Sequence, residues 1–385
     1  MENTSRFADS KPHYPLLDGL RGVAALLVVW YHLFEGFAFA GGGVIQTVNH
    51  GYLAVDFFFL LSGFVLSYAY DERWGKMLSL GGFFKRRLIR LHPMVLFGAV
   101  VGLVAYLIQG GEQWGGDKMP LSAVMTALLL AMCLLPMPAG AGCDVRGNGE
   151  MFPLNGPTWS LFFEYIGNLL YALFIRRLST RMLALWTLLL GVGWGYFALA
   201  DVAGYGMIGV GWTLDWANGV GGLLRMLFPF SLGMLLARRF RPVKIKGAFW
   251  LCTLVLVALF HVPYIAGLEP FSRNGLFEML CVAGFFPLLL WLGASGTTTD
   301  RFSTGLCNFL GGISYPLYVV HYPLMYLFYA WLIGQKRYTL AESWPLALGV
   351  MACSVALAWL ALKGYDEPLR RWLSRKFLPK SAQKR

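Results

Sequence analysis

Long apolar stretches alternate with short polar connections along the whole chain, and this pattern predicts a bundle of membrane-spanning helices. An α-helix needs about 20 mainly apolar residues to cross a bilayer, and most of the stretches approach that length. We therefore predict an all-α integral membrane protein. The eleven candidate segments are 20–40, 53–70, 91–109, 121–137, 158–175, 182–200, 219–237, 249–266, 277–292, 313–333 and 344–362.

Composition supports the same class of protein. Hydrophobic residues make up 57% of the 385 residues and charged residues only 14%, and the mean hydropathy is +0.57. Soluble globular domains are less apolar and more charged. The loops are short, so we predict a single domain over 1–385, with a core of about 15–372 between a short polar N-terminus and a basic C-terminal tail. The N-terminus lacks the pattern of a signal peptide, so we expect the first apolar segment to be retained.

Positive charge is concentrated in particular loops. The formal net charge is +12, and the Lys and Arg residues cluster at 73–90, 176–181, 238–246 and 363–380. Cytoplasmic loops of membrane proteins carry such an excess, so this charge indicates membrane topology and not binding to nucleic acid. On this assignment both termini lie in the cytoplasm.

Two cytoplasmic termini require an even number of crossings, whereas the hydrophobic pattern offers eleven segments. The segment 121–137 is short and lies between two loops that are neutral to acidic. If it crossed the membrane, the basic loop at 176–181 would face outwards, against the charge bias. We therefore predict that this segment is re-entrant or interfacial, which leaves about ten transmembrane helices.

The first apolar segment carries two unusual polar residues, Arg21 and His32. They are eleven residues apart, or about three helical turns, so both side chains fall on one face roughly 16 Å apart along the axis. Ionisable side chains are costly within a membrane and often mark functional sites. The alternative is that a neighbouring helix satisfies each of them for structural reasons alone.

Further charged residues follow in the second and third segments. Asp56 lies among aromatic residues, where a carboxylate must pair with a base or face a polar cavity. Arg87 and Arg90 are i,i+3 neighbours and lie on one helical face. Two guanidinium groups on one face can hold a phosphate, although such residues also serve as simple membrane anchors. Pro93 follows closely and is interpreted as a break at the start of the helix.

Two later segments and the C-terminal region add polar groups with helical spacing. A buried network that fixes helix packing would explain them nearly as well as catalysis would. At the cytoplasmic end, Glu367 and Arg370 are interpreted as an internal ion pair. The residues of the two segments are Trp159, Ser160 and Glu164, and Ser314, Tyr318 and His321.

Several kinds of site have no support in the sequence. The six cysteines show no metal-ligand spacing, and no GxSxG, HExxH or phosphate-binding loop is present. The match to GxGxxG at 204–209 follows no predicted strand and is treated as accidental. We expect no metal and no permanently bound cofactor.

The motifs in this order resemble those of the membrane acyltransferase 3 family, which are bacterial O-acyltransferases of cell-surface glycans. The resemblance extends over about 15–372. It rests on LDGLRGVAALLVVWYH, VDFFFLLSGFVL, FKRRLIRLHP, PTWSLFFE, ISYPLYVVHYP and EPLRRW.

The resemblance implies roles for several residues. Arg21 and His32 match the family's basic residue and histidine of the first helix, and Arg87 and Arg90 match its Arg-x-x-Arg. The segment with Glu164 also matches, but the second acid of many members is replaced here by a tyrosine. The implied partners are the lipid bilayer, acyl-CoA on the cytoplasmic side and a hydroxyl acceptor on a glycan or lipid-linked saccharide. The implied location is the bacterial cytoplasmic (inner) membrane.

The residues fit that chemistry. We expect Arg21, Arg87 and Arg90 to bind the phosphates of acyl-CoA, with acetyl as the first expectation for the acyl group and succinyl as the second. His32 would then remove the acceptor's proton, or else carry the acyl group itself. Glu164 or Asp56 is expected to orient the imidazole, and the sequence does not choose between them.

A second class of protein also explains intramembrane His, Asp, Glu and Arg residues. A proton-coupled transporter or flippase uses such groups as proton relays, and it often shows two similar halves. The polar residues of the first half here have no counterparts at matching positions in the second half. That comparison favours an enzyme. A scaffold without catalysis would explain the apolar segments but not Arg21 and His32.

Overall fold

The structure is a computed structural model that describes residues 14–43, 48–138, 140–298 and 300–378, and it is almost entirely helical. The first thirteen residues of the polar N-terminus and the tail from 379 onwards lie outside the described residues. Two π-helical segments, Cys281–Phe285 and Leu362–Asp366, join α9 to α10 and α12 to α13. The helices are α1 Pro15–Ala40, α2 Ala54–Tyr70, α3 Leu80–Gln109, α4 Leu121–Met132, α5 Thr158–Leu173, α6 Thr180–Leu199, α7 Trp216–Arg239, α8 Ala248–His261, α9 Arg273–Leu280, α10 Phe286–Ser295, α11 Arg301–Gln335, α12 Leu340–Ala361 and α13 Glu367–Phe377.

Nine segments of the described residues are long and apolar enough to span a membrane, which confirms the predicted all-α membrane fold. The shorter apolar helix α8 also extends between opposite faces of the bundle, as the contacts at its two ends show. At its start, the short strand β1 (Ile245–Lys246) pairs in parallel with β2 (Gly296–Thr297). At its end, the Val262 carbonyl accepts a hydrogen bond from the His50 amide at 3.3 Å.

Helix α4 fits the re-entrant or interfacial segment that the charge pattern predicts. Its twelve residues span only roughly 18 Å, less than the hydrocarbon layer of about 30 Å. The chain before and after it meets at one place: Gln113 Nε2 donates to the Asp144 carbonyl at 2.7 Å, and the Trp114 amide donates to the Arg146 carbonyl at 3.1 Å. The segment therefore enters and leaves on the same face.

Two helices begin earlier than their apolar stretches suggest. Helix α3 starts at Leu80, where the Ser79 side chain accepts a hydrogen bond from the Gly82 amide at 3.1 Å. Its basic first turns remain helical, and Pro93 lies inside the helix without ending it, so the predicted break at Pro93 is wrong. Helix α11 likewise starts at Arg301, capped by the side chain of Asp300. Hydrophobicity marks only the part of a helix in the hydrocarbon, so it misses polar turns beyond that part.

Close packing of α1 against α11 places the polar residues of both helices together. This is the most extensive helix contact in the described part of the chain. Gly22 makes the close approach possible, because a Cβ atom there would collide with the backbone of Leu310. A Cβ atom at Gly36 would likewise collide with the ring of Tyr329. We call this contact the α1/α11 seam. We call the side of the bundle on which α1 begins the basic face.

Candidate active site

His32 lies in the α1/α11 seam beside a carboxylate from its own helix. Its Nδ1 lies 2.7 Å from Oε2 of Glu35, one helical turn further on. The His32 side chain is 12% exposed, and its Nε2 makes no hydrogen bond to any described residue. Because Glu35 accepts the proton on Nδ1, the neutral imidazole carries its lone pair on Nε2. His32 can therefore act as a base or a nucleophile through Nε2.

Three tyrosine hydroxyl groups hold the Glu35 carboxylate in place. Tyr322 and Tyr329 of α11 each donate to Oε2 at 3.1 Å, and Tyr31 of α1 donates to Oε1 at 3.3 Å. The Tyr329 hydroxyl also lies 2.6 Å from the His32 carbonyl. Hydrogen bonds from several donors stabilise the charged form of a carboxylate. Glu35 is thus fixed as an anion that orients His32, which is the arrangement found in catalytic triads.

His321 stacks on His32 but is poorly placed to replace it. The two rings are 5.2 Å apart with an interplanar angle of 30°. His321 is fully buried, its Nδ1 lies 3.0 Å from the Leu317 carbonyl, and its Nε2 is buried without a hydrogen-bond partner in the described structure. The stacked ring limits how His32 can move, and we interpret His321 as part of the wall of the site.

Asp56 does not contact His32, contrary to one of the two expectations for the orienting acid. Both of its oxygens bind Arg225 of α7, at 2.7 Å to Nη2 and 3.2 Å to Nε. Both side chains are almost completely buried. The guanidinium also donates to the carbonyls of Val210 and Tyr52. A buried carboxylate paired in this way has its charge and lone pairs satisfied, so Asp56 joins α2 to α7.

Glu164 is also engaged elsewhere, contrary to the other expectation. Its Oε1 accepts from Nη2 of Arg87 at 2.8 Å and from the hydroxyl of Ser62 at 3.1 Å. Arg87 is buried, whereas Arg90, one turn later, is exposed. The two arginines thus differ in surroundings: Arg87 is paired with Glu164, and Arg90 is the freer charge. The position beside His32 belongs to Glu35.

Arg21 lies near the start of α1, at the same level of the bundle as the two arginines of α3. It pairs with Asp18 at 2.8 Å and donates from Nε to the Ser314 hydroxyl at 2.9 Å. The charges of Arg90 and Glu164 both act on Arg21. Arg21, Arg87 and Arg90 thus form one cationic cluster at the basic face, and His32 lies further along α1.

The C-terminal ion pair differs from its prediction. Arg370 pairs with Asp366 at 2.7 Å and not with Glu367. Glu367 instead binds Lys363 at 2.6 Å and Arg371 at 2.8 Å. All three pairs have i,i+4 spacing, and two of them begin in the π-helical segment before α13.

Trp159, Ser160 and Tyr318 are brought together by the start of α5, away from the Nε2 of His32. The Ser160 and Tyr318 hydroxyl groups are 2.6 Å apart, and both also contact the Pro157 carbonyl. Trp159 lies 5.2 Å from the guanidinium of Arg225. These contacts hold α5 against α7 and α11, and the Tyr318 ring lies 5.9 Å from that of His321. These residues support the packing around the site, and none of these contacts identifies them as substrate-binding.

A second acidic residue, Glu150, closes the seam on the face opposite the basic one. It is 6% exposed and lies in the loop between α4 and α5. Tyr326 of α11 donates a hydrogen bond to it, and Asn148 donates another at 3.0 Å. Arg146 of the same loop lies over the Tyr326 ring at 3.4 Å. Burial raises the pKa of Glu150 to about 7, although Tyr326 and Arg146 act in the opposite direction.

The described residues contain no group of three or more His, Cys, Asp and Glu side chains that could hold a metal ion. An oriented histidine with an open Nε2 can take a proton from a hydroxyl or attack a carbonyl carbon. The cationic cluster, whose member Arg21 lies on the same helix about three turns away, can bind an anionic group at a fixed distance from His32.

The fold and the site define a multi-pass membrane acyltransferase, and comparison with known proteins gives the family. Residues 14–363 match the acyltransferase 3 family, described as an acyltransferase domain, and the protein belongs to that family. Acyltransferase MdmB of Streptomyces mycarofaciens is 25% identical, over 94% of this chain and 93% of its own length. Protein 2 in the picA locus of Rhizobium radiobacter is 35% identical, over 44% of this chain and 86% of its own length. No solved structure matches the chain.

A third relative has a more specific name. Peptidoglycan O-acetyltransferase OatA of Listeria monocytogenes is 36% identical over 27% of this chain and 15% of its own length. The match covers a small part of that protein, so it supports the O-acyltransferase chemistry of the family and leaves the acceptor of this chain undetermined.

Sequence reasoning missed two acids of the site, Glu35 and Glu150, and the three tyrosines that contact Glu35. Glu35 follows His32 by three residues, and this i,i+3 spacing on one helix was a readable signal for contact. Glu150 gave no comparable signal, because its contact with Tyr326 depends on how a long loop folds back over the seam.

Proposed function

We propose that this protein is a membrane O-acyltransferase that transfers an acyl group, most simply acetyl, from acyl-CoA to a hydroxyl of a cell-envelope or exported glycan. The family supports acyl transfer, and the name of the OatA relative supports O-acetylation. The charge pattern supports a bacterial cytoplasmic membrane location with both termini in the cytoplasm. On that orientation the basic face meets the cytoplasm, where acyl-CoA is available.

The cationic cluster supports binding of the donor's nucleotide. Acyl-CoA has a polyanionic head and a long, thin arm that ends in a thioester. With the phosphates at Arg21, Arg87 and Arg90, the arm would extend along α1 towards His32. The roughly 16 Å between Arg21 and His32 gives that arm a defined length to cover.

The transfer step then uses His32 through Nε2. His32 takes the proton of the acceptor hydroxyl while its oxygen attacks the thioester carbonyl carbon, and Glu35 stabilises the imidazolium that forms. The C–S bond breaks, and the CoA thiolate leaves and receives the proton from His32. In a two-step variant His32 itself carries the acyl group to the acceptor. Both routes require the same oriented imidazole.

The observation that carries this proposal is the His32–Glu35 pair, placed on the same helix as Arg21 of the cationic cluster and about three turns from it. The test is the content of ester-linked acyl groups in envelope glycans from cells with the wild-type gene, without it, and with His32→Ala. We expect the ester content of the last two to be equal, because loss of a general base typically costs ~10²–10⁴ in rate. Wild-type ester content with His32→Ala, at equal protein level, would refute the assignment.

Donor binding is tested separately on Arg87 and Arg90. Losing a charge-assisted contact of ~1.5–3 kcal/mol should weaken CoA binding about ten- to a hundredfold. Arg→Lys should restore binding only in part, because an ammonium group cannot form the two parallel hydrogen bonds of a guanidinium. If the two arginines only anchor the helix in the membrane, Lys should replace them without any loss of CoA affinity. Unchanged CoA affinity in the Lys and Ala variants of both residues would exclude the phosphate role.

A further inference from the structure

The C-terminal helix α13 packs against α3 at the basic face. The π-helical segment Leu362–Asp366 redirects the chain at the end of α12, and the Tyr365 ring of this segment lies 5.2 Å from that of Phe97. The element contacts of α13 are with this segment and with α3. Helix α13 therefore lies beside α3, the helix that carries Arg87 and Arg90.

Arg370 is a partly buried residue of α13, with 28% of its side chain exposed. Its Nη2 binds Asp366, which is 1% exposed, at 2.7 Å. Its Nε is buried and has no hydrogen-bond partner in the described structure. A buried N–H without a partner is costly, and such groups often mark a position where a ligand binds. Arg87 of α3 has the same feature, since its Nε is also buried and unpartnered.

The charges around Arg370 connect it to the cationic cluster. Arg90 acts electrostatically on Arg370, on Asp366 and on Arg21, and it forms no ion pair with any described residue. Three of the four arginines each pair with one carboxylate, those of Asp18, Glu164 and Asp366. Glu367 also acts on Arg370, but it is already paired with Lys363 and Arg371. Like charges held near one another are unfavourable unless an anion offsets them. The arrangement thus has both surplus positive charge and unused N–H donors.

We propose that Arg370 is a fourth arginine of the donor site and binds a phosphate ester of the acyl donor's nucleotide, together with Arg90 and Arg21. The inference rests on the proposed function and extends it to a helix outside the first three segments. The guanidinium geometry suits a phosphate dianion, which accepts two parallel hydrogen bonds. The headgroup of an anionic phospholipid offers the same chemistry, and the experiment distinguishes the two.

Arg371 provides a matched control on the same helix. It follows Arg370 directly, its side chain is 68% exposed, and it pairs with Glu367 at 2.8 Å. Arg370→Gln and Arg371→Gln remove the same charge from the same helix, but only the first removes the buried Nε donor. A general effect of net charge or of helix stability would therefore appear in both variants.

The experiment measures CoA binding to the purified full-length protein. We expect Arg370→Gln to raise the dissociation constant roughly ten- to a hundredfold and Arg371→Gln to leave it unchanged. Equal affinities for the two variants would overturn the proposal. If Arg370→Gln does not accumulate, Arg370→Lys carries the test, with weaker binding expected because the fork geometry is lost. Wild-type affinity in Arg370→Lys would then overturn it.

Two further measurements separate the possible causes of failure. If the wild type does not bind CoA, the proposed donor itself is wrong; if Arg90→Gln weakens CoA binding and Arg370→Gln does not, only the role of Arg370 is wrong. The alternative that Arg370 binds lipid is tested by measuring binding of the protein to vesicles that contain phosphatidylglycerol. A loss of vesicle binding in Arg370→Gln, with unchanged CoA affinity, would assign Arg370 to lipid headgroups and overturn the proposal.

Discussion

Replacing Glu35 with Gln tests the most specific feature of the site, the orientation of His32. Glu35 accepts a hydrogen bond from the Nδ1–H of His32 at 2.7 Å and contributes the negative charge that stabilises an imidazolium. Gln has the same size but no charge. Its NH₂ group can donate a hydrogen bond to Nδ1, which favours the tautomer of His32 that carries its proton on Nε2. The lone pair would then lie on Nδ1, facing the amide and away from the substrate.

The expected loss follows from these two effects. A charge-assisted hydrogen bond contributes ~1.5–3 kcal/mol, which corresponds to about ten- to a hundredfold in rate. A change of tautomer costs more, and the equivalent Asp→Asn change in a serine protease triad lowers kcat by about 10⁴. We therefore expect kcat to fall by ~10²–10⁴ for Glu35→Gln. The KM for the donor should change little, because Arg21 and Arg90 lie at the other end of the site.

The assay is release of the CoA thiol from acetyl-CoA by membrane vesicles that contain the full-length protein, with isolated envelope as acceptor. Tyr31→Phe is the matched control, since it removes the longest hydrogen bond to Glu35, at 3.3 Å, and keeps the charge. A neutral bond contributes ~0.5–1.5 kcal/mol, so its loss should cost a few-fold to about tenfold. Wild-type kcat for Glu35→Gln, at equal protein level, would refute the role of Glu35.

Three other outcomes follow from the structure. Arg225→Leu should strongly reduce the amount of folded protein, because removing one partner of a buried pair costs ~3–5 kcal/mol, and the double variant with Asp56→Leu should recover part of it. Cysteines placed at Gln113 and Asp144, in a background without the native cysteines, should be labelled from the same side; labelling from opposite sides would contradict a re-entrant α4. The pKa of Glu150 is raised from 4.5 to about 7, so the folded protein binds a proton that the unfolded chain has lost. Thermal stability should therefore fall as the pH rises through this interval, and the decrease should be smaller in Glu150→Gln. If stability changes with pH equally in the variant and the wild type, Glu150 is not the cause of the pH dependence.

The membrane fold could be predicted largely from the sequence because each helix is specified by local hydrophobicity. The re-entrant α4 could also be predicted, since charge bias in its neighbouring loops conflicts with a crossing. The starts of α3 and α11 were missed because their first turns are polar, and an apolar window does not detect helix outside the hydrocarbon. Pro93 was misread for a related reason, because prolines are tolerated within transmembrane helices.

The candidate site was predictable only where its contacts are local. Arg21 and His32 share one helix, and the helical period alone places them on one face. The pairing of Asp56 with Arg225 joins residues 169 positions apart, and that of Glu164 with Arg87 joins residues 77 positions apart. No spacing rule specifies such partners, since they depend on which helices become neighbours. One or the other of these acids was therefore expected beside His32, where Glu35 is found.

The short helix α8 implies a local change in the bilayer itself. Its fourteen residues span only about 21 Å, whereas the hydrocarbon layer is about 30 Å thick. A helix shorter than the layer is accommodated by thinning of the lipid around it. Because α8 packs against α1, this thinning falls beside the helix that carries Arg21 and His32. Hydrophobic mismatch would then shorten the distance between the two aqueous phases beside the seam.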